Sequence, residues 1–184
     1  MKVFVAGPRA LKSLTKSVEE RLSNIIENNI TVLIGDANGV DKIAQQFFCT
    51  NNYSNVIVYA SQGKARNNLG KWPIEKVTVA DGIKGFDFYA AKDVKMANVA
   101  DYGFMIWNGK SKGTLNNIIN LTKRNKKVLV FFTPHEKFYT INTLNDAEKI
   151  ASACGNDIGE MFNKLAAAAQ PTHLNNDFEQ LTIF

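Results

Sequence analysis

A chain of 184 residues, 45% of them hydrophobic, can bury the core of one compact domain, and it contains no apolar run long enough to cross a membrane. Two cysteines, Cys49 and Cys154, and two histidines, His135 and His173, stand apart from one another, which argues against a disulfide framework and against a metal centre. The net charge of +5 comes from lysines spread along the chain, so it leans toward anionic partners without marking a nucleic-acid-binding block.

Short runs of β-branched and aromatic residues predict strands, and 3.6-residue periodicity between them predicts helices. Val3 to Ala6 is the first strand; it is too short for a signal peptide, so a cytoplasmic protein is expected. Ser13 to Asn28 reads as a helix with Leu14, Val18, Leu22, Ile25 and Ile26 on one face. Thr31 to Ile34 is a strand, Gly39 to Thr50 a helix, and Asn55 to Tyr59 a third strand. Residues Ser61 to Phe86 form a long connection with a short strand at Lys76 to Ala80; Lys64, Arg66, Lys71, Lys76 and Lys84 make it basic, as a lid over an anion would be. A helix over Asp87 to Val99, a strand over Tyr102 to Trp107, a helix over Thr114 to Lys123 and a strand over Lys127 to Phe132 follow. Beyond it come an edge strand at Phe138 to Ile141, helices over Thr143 to Ala153 and Asp157 to Ala169, and an arm from Thr172 to Phe184.

Continuous apolar strands alternating with helices imply an α/β, Rossmann-like parallel sheet covered by helices on both faces, with a helical C-terminal extension. Residues 1–132 make the binding core and residues 133–184 the extension packed on it, the natural surface for a homo-oligomer. Right-handed crossovers place the C-terminal ends of the parallel strands on one rim, where such sheets bind ligands.

Three loops meet on that rim. The first carries Gly7, Pro8 and Arg9; the second runs from Gly35 through Asp36 and Gly39 to Asp41; the third holds Asn108, Gly109, Ser111, Gly113 and Thr114. Glycines admit a ligand close to backbone N–H groups, Ser111 and Thr114 add hydroxyls, and the helix behind them offers the positive end of its dipole to a phosphate. Arg9 supplies a permanently charged clamp. The spacing of the third loop matches neither the P-loop nor the dinucleotide-binding fingerprint. Asp41, at a helix start, is expected to satisfy backbone donors or to fix Arg9, whereas Asp36 has a ribose hydroxyl or a catalytic proton as alternatives. Asp93 and Lys92 each share a helix face with Met96, and Asp101 is expected to cap the preceding helix or fix the turn. Trp107 and Asn108 are expected at the mouth of the site.

Taken in order, Gly7-Pro8-Arg9, Gly35 to Asp41, and Met96 to Asp101 followed by Gly109 to Thr114 resemble the SLOG superfamily of Rossmann-like nucleotide-binding proteins. That group includes the Lonely Guy phosphoribohydrolases and the DNA-processing protein A fold. The resemblance covers residues 1–132 and implies a nucleotide or nucleotide derivative held through its phosphate by the first and third loops. The chain departs from the phosphoribohydrolases in two places: no carboxylate follows Thr114, and the arginine of their Arg-x-x-Met helix is missing, with Lys92 or Lys95 as the nearby cation. Without that carboxylate the obvious catalyst of N-glycosidic cleavage is missing.

These observations favour a nucleotide sensor or binding protein that needs no cofactor. An N-glycosidic hydrolase or transferase, with Asp36, Asp93 or Asp101 as its carboxylate, is the first alternative. A nucleic-acid-binding protein is the second.

Overall fold

The computed structural model describes residues 1–62 and 64–168. The expected helix from Asp157 ends among these residues at Ala168, and the arm from Thr172, with His173, lies outside them. In chain order the elements are β1 (Lys2–Ala6), α1 (Lys16–Glu27), β2 (Thr31–Gly35), α2 (Val40–Thr50), β3 (Val56–Ser61), β4 (Ile74–Val77), α3 (Gly85–Val99), β5 (Tyr102–Trp107), α4 (Lys112–Thr122), β6 (Val128–Phe132), β7 (Lys137–Ile141), α5 (Leu144–Ser152) and α6 (Asn156–Ala168).

The seven strands form one sheet in the order β4-β3-β2-β1-β5-β6-β7. All neighbours are parallel except β6 and β7. The chain reverses across β1: it winds outward through β2, β3 and β4, then returns to place β5 on the other side of β1. Such a switch point opens a crevice at the C-terminal ends of the strands.

Alternation along each strand feeds two cores. Val3, Val5, Val32, Ile34, Val58, Phe104 and Ile106 face α1 and α2, where Val18, Leu22, Val40, Ala44 and Phe48 pack on them. Phe4, Ala6, Leu33, Tyr59, Met105 and Trp107 face the opposite way, against Met96 and Ala97 of α3 and Leu115, Ile118 and Ile119 of α4. Burial on both faces is why these strands read as unbroken apolar runs rather than as alternating ones.

Several boundaries move for local reasons. Helix α1 begins at Lys16 because Thr15 is extended and acts as N-cap, while Leu14 packs from the loop. Helix α4 begins at Lys112, two residues earlier than its periodicity suggested, because Ser111 caps it. Helix α5 carries a full capping box: Thr143 accepts from the Asp146 N–H, and the Asp146 carboxylate accepts from the Thr143 N–H.

Residues beyond Phe132 add both a strand and helices. Strand β7 pairs with β6, and Ala147, Ala151, Phe162 and Leu165 of α5 and α6 join the core around α4. Helix α4 is therefore buried from Thr114 through Thr122, its polar residues included. No helix among the described residues is long and apolar enough to cross a membrane.

Candidate functional site

A cleft of about 630 Å³ opens at the switch point, between the loops after β1 and β5 and the N-terminal half of α3. Gly7, Pro8, Arg9, Gly35, Asn108, Ser111, Gly113 and Thr114 line it together with Asp93. Gly39 and Gly109 belong to the same loops but are not part of its wall, and Asp36 faces elsewhere.

The third loop is built around its own turn. Asn108 Oδ1 accepts from the Lys110 and Ser111 N–H groups at 3.1 and 2.9 Å, and Gly109 takes a φ of 71°, which a side chain would resist. Trp107 is fully buried rather than at the mouth; its indole N–H donates to the Ser111 carbonyl at 3.2 Å and holds the loop from below. The Ser111 hydroxyl oxygen accepts from the Thr114 N–H at 3.4 Å and from the Thr114 hydroxyl at 3.0 Å. Its own proton is thereby left to donate to an anion in the cleft.

Among the described residues no side chain or turn carbonyl caps the Lys112 and Gly113 N–H groups at the start of α4. A β-carbon at Gly113 would meet nothing within 4 Å. The helix N-terminus is thus open to the cleft, with Lys110 and Lys112 at its edge.

The second loop is filled by its own protein. The Asp36 carboxylate, on a residue 4% exposed, takes the Arg66 guanidinium through both oxygens at 2.7 and 2.9 Å and accepts from the Arg66 N–H at 3.1 Å. Burial pushes this carboxyl up, but the hydrogen bonds from Arg66 outweigh it and hold its pKa below the usual value. Asn67 donates to the Asp36 carbonyl, Gln45 binds the Leu69 N–H, and the Trp72 indole donates to the Tyr53 carbonyl. The basic connection after β3 is therefore pinned along residues 66–72, and its strand starts at Ile74, earlier than Lys76, because it pairs with β3.

Part of the cleft wall is a charged cluster of Lys92, Asp93 and Asp41. Lys92 is buried and contacts Asp93 at 2.6 Å; the Asp41 carboxylate accepts from the Ala37 N–H at 3.2 Å and stands beside Lys92 over Gly35. Burial raises the Asp41 carboxyl to about 6, against the opposing pull of Lys92. Burial also disfavours the Lys92 ammonium, yet Asp93 and Asp41 outweigh it and raise its pKa. Asp41 thus serves the backbone of its own loop, while Arg9 stands with Arg66 against the Tyr89 ring, at 5.0 and 4.8 Å. Asp101 ties the junction between α3 and β5 to the start of β1 rather than holding a local turn: its carboxylate accepts from the Lys2 N–H at 2.7 Å.

Phe86, Tyr89 and Asn117, with Lys110 and Lys112, are cleft residues that the sequence did not single out. Phe86 and Tyr89 line its α3 side, and Lys112 lies 4.2 Å over the Phe86 ring. Asn117, one turn beyond Thr114, is 4% exposed, and its side-chain oxygen is buried with no hydrogen-bond partner among the described residues. The visible signal was its place on the helix face that follows the loop.

Among the described residues no group of three or more His, Cys, Asp or Glu side chains could hold a metal ion. Cys49 and Cys154 are free thiols.

The fold is similar to that of DNA processing protein A from Helicobacter pylori, a structure described for its unique single-stranded DNA binding mode. The TM-score is 0.57 at 18% sequence identity, over 92% of this chain and 82% of the other. No family model matches the chain, and no curated protein matches it.

Proposed function

We propose that the protein binds a nucleotide or nucleotide derivative in the switch-point cleft, with the phosphate on the N-terminus of α4. The observation that carries this reading is the open first turn of α4, uncapped at Lys112 and Gly113 and without a side chain at Gly113, in a cleft that also holds Arg9, Lys110 and Lys112. Oriented N–H groups and neighbouring cations suit a phosphate, which is anionic at neutral pH. The unpaired Asn117 oxygen gives the rest of the ligand a specific N–H or O–H partner, because a buried acceptor left unsatisfied costs about 1–3 kcal/mol. Phe86 and Tyr89 offer aromatic surface for a base.

The SLOG resemblance supports the same assignment. The cleft resembles a grip more than a hydrolytic centre: Asp36 is engaged with Arg66, Asp93 is engaged with Lys92, and the residue one turn past Thr114 is an amide. Isothermal titration against nucleotides, cyclic nucleotides and ADP-ribose derivatives tests the reading, with Asn117→Ala expected to weaken the best ligand about tenfold. Folded protein that binds none of them below millimolar concentration overturns it. Chromatography of the same mixtures tests the glycosidic alternative, which requires free base to appear.

A second reading is favoured by the structural likeness to a single-stranded DNA-binding protein: the same cleft would hold a nucleotide within a strand. Binding that steepens as salt is lowered, and that exceeds the affinity for any mononucleotide, would support it.

A further inference from the structure

The turn from Asn108 to Lys110 has a cavity on each side. Beyond the cleft already described, a second space of about 550 Å³ opens between this turn, the end of β6, β7 and α5. Asn108 and Lys110 line both spaces, so the turn is a partition with one lysine belonging to each side.

The far space sets rings and cations against an aliphatic wall of Ile141, Ile150 and Ala153. Phe132 forms its floor, with His135 edge-on at 4.9 Å and Tyr139 edge-on at 6.2 Å; the His135 and Tyr139 side chains meet at 3.4 Å between ring nitrogen and hydroxyl. Lys149 stands at the wall. The carboxylate there, Asp146, is spent on the Asn142 and Thr143 N–H groups of the α5 cap. What remains is a corner of aromatic surface with lysines on two sides, its one carboxylate in the described lining, Asp146, being turned to the helix cap through Oδ2. A groove for an aliphatic side chain would want neither lysine. A planar base linked to a phosphate uses all of these groups: its face stacks on the rings and its phosphate approaches Lys110.

We propose that this space is a second base subsite, so that the ligand is two nucleotides joined by a phosphodiester that crosses the Asn108–Lys110 turn. The proposal rests on the nucleotide reading of the first cleft. The ligand chemistry has two sources, a free dinucleotide or a single strand, and both place the linking phosphate beside Lys110.

The test compares deoxyadenosine 5′-phosphate, the 5′-phosphorylated deoxyadenylate dinucleotide and an octamer of deoxyadenylate by isothermal titration on the full chain. The dinucleotide should bind about tenfold more tightly than the mononucleotide, the scale of one stacked base. The double variant His135→Ala, Tyr139→Ala should erase that gain and leave mononucleotide affinity unchanged, whereas Tyr139→Phe should keep it. A gain complete at the dinucleotide assigns the small molecule; a further gain with the octamer, lost in the double variant, assigns the strand. Mononucleotide binding with no dinucleotide gain, or a gain that survives the double variant, overturns the subsite alone. Silence from all three ligands overturns the first cleft and the subsite together.

Discussion

The loops after β2 and β5 share a vocabulary of glycines and small polar residues, yet one is a strut and the other a socket. In the first, Gly39 has a φ of 78°, and the place of its missing side chain is taken by the backbone of Pro8 and Arg9. Asp36 and Asp41 of the same loop turn to Arg66 and to the Ala37 N–H. In the second, Gly113 borders empty space, and the hydroxyls beside it hold a proton in reserve. Composition announces that a loop lets something come close. What fills the space of the absent β-carbon decides whether that something is protein or ligand.

The largest expected effect lies in the strut. Gly39→Ala places a methyl against the Pro8 carbonyl in a backbone region that disfavours it, so urea denaturation should show a loss of about 3 kcal/mol or more. A loss below 1 kcal/mol would erase the distinction between the two loops.

How far the sequence carried follows from which partners are local. The sheet was legible because every inner strand is apolar on both faces, as Val3 and Val5 against Phe4 and Ala6 show. The α/β class, the parallel order and the converging rim loops rest on that. Asp36 was harder, since its partner Arg66 lies thirty residues away in a long basic connection that suggested a lid over an anion. Asn117 was harder still: an amide on a helix becomes conspicuous only when the assembled fold buries it and leaves its oxygen unpaired among the described residues. Lys92 was visible by its spacing from Met96, but its burial among carboxylates was not.

The next effect is a pH dependence of opposite sign at two carboxylates of one loop. Asp41, raised to about 6 by burial, contributes stability that is complete below the ordinary carboxylate pKa near 4 and is lost as pH rises through 6. Thermal melts should therefore show a decline of about 3 kcal/mol across that window, and Asp41→Asn should flatten it. Asp36, held below its usual pKa, contributes stability present at neutral pH and lost as pH falls through its folded value. Arg66→Ala should remove that contribution, about 1 kcal/mol once the partial exposure of the arginine is counted, with the loss vanishing at low pH. Equal slopes in both variants would show that the two aspartates do not differ.

The smallest stability change belongs to the socket and is expected to have the opposite sign. Gly113→Ala meets no neighbour and replaces glycine near a helix start, so it should stabilise by up to about 1 kcal/mol. The same methyl would stand over the open N–H groups and should weaken nucleotide binding at least tenfold. Unchanged affinity in a stabilised variant would move the phosphate away from α4.

The two tryptophans of the chain divide themselves between these regions. Trp107 lies beneath the socket, bonded to the Ser111 carbonyl; Trp72 is locked into the connection that braces the strut, bonded to the Tyr53 carbonyl. Each indole is buried and tied to one loop system, so its emission reads that system alone. Replacing either by phenylalanine leaves a protein with a single tryptophan, and the two spectra, excited beyond the absorption of tyrosine, would time the arrival of a ligand separately from the loosening of the scaffold.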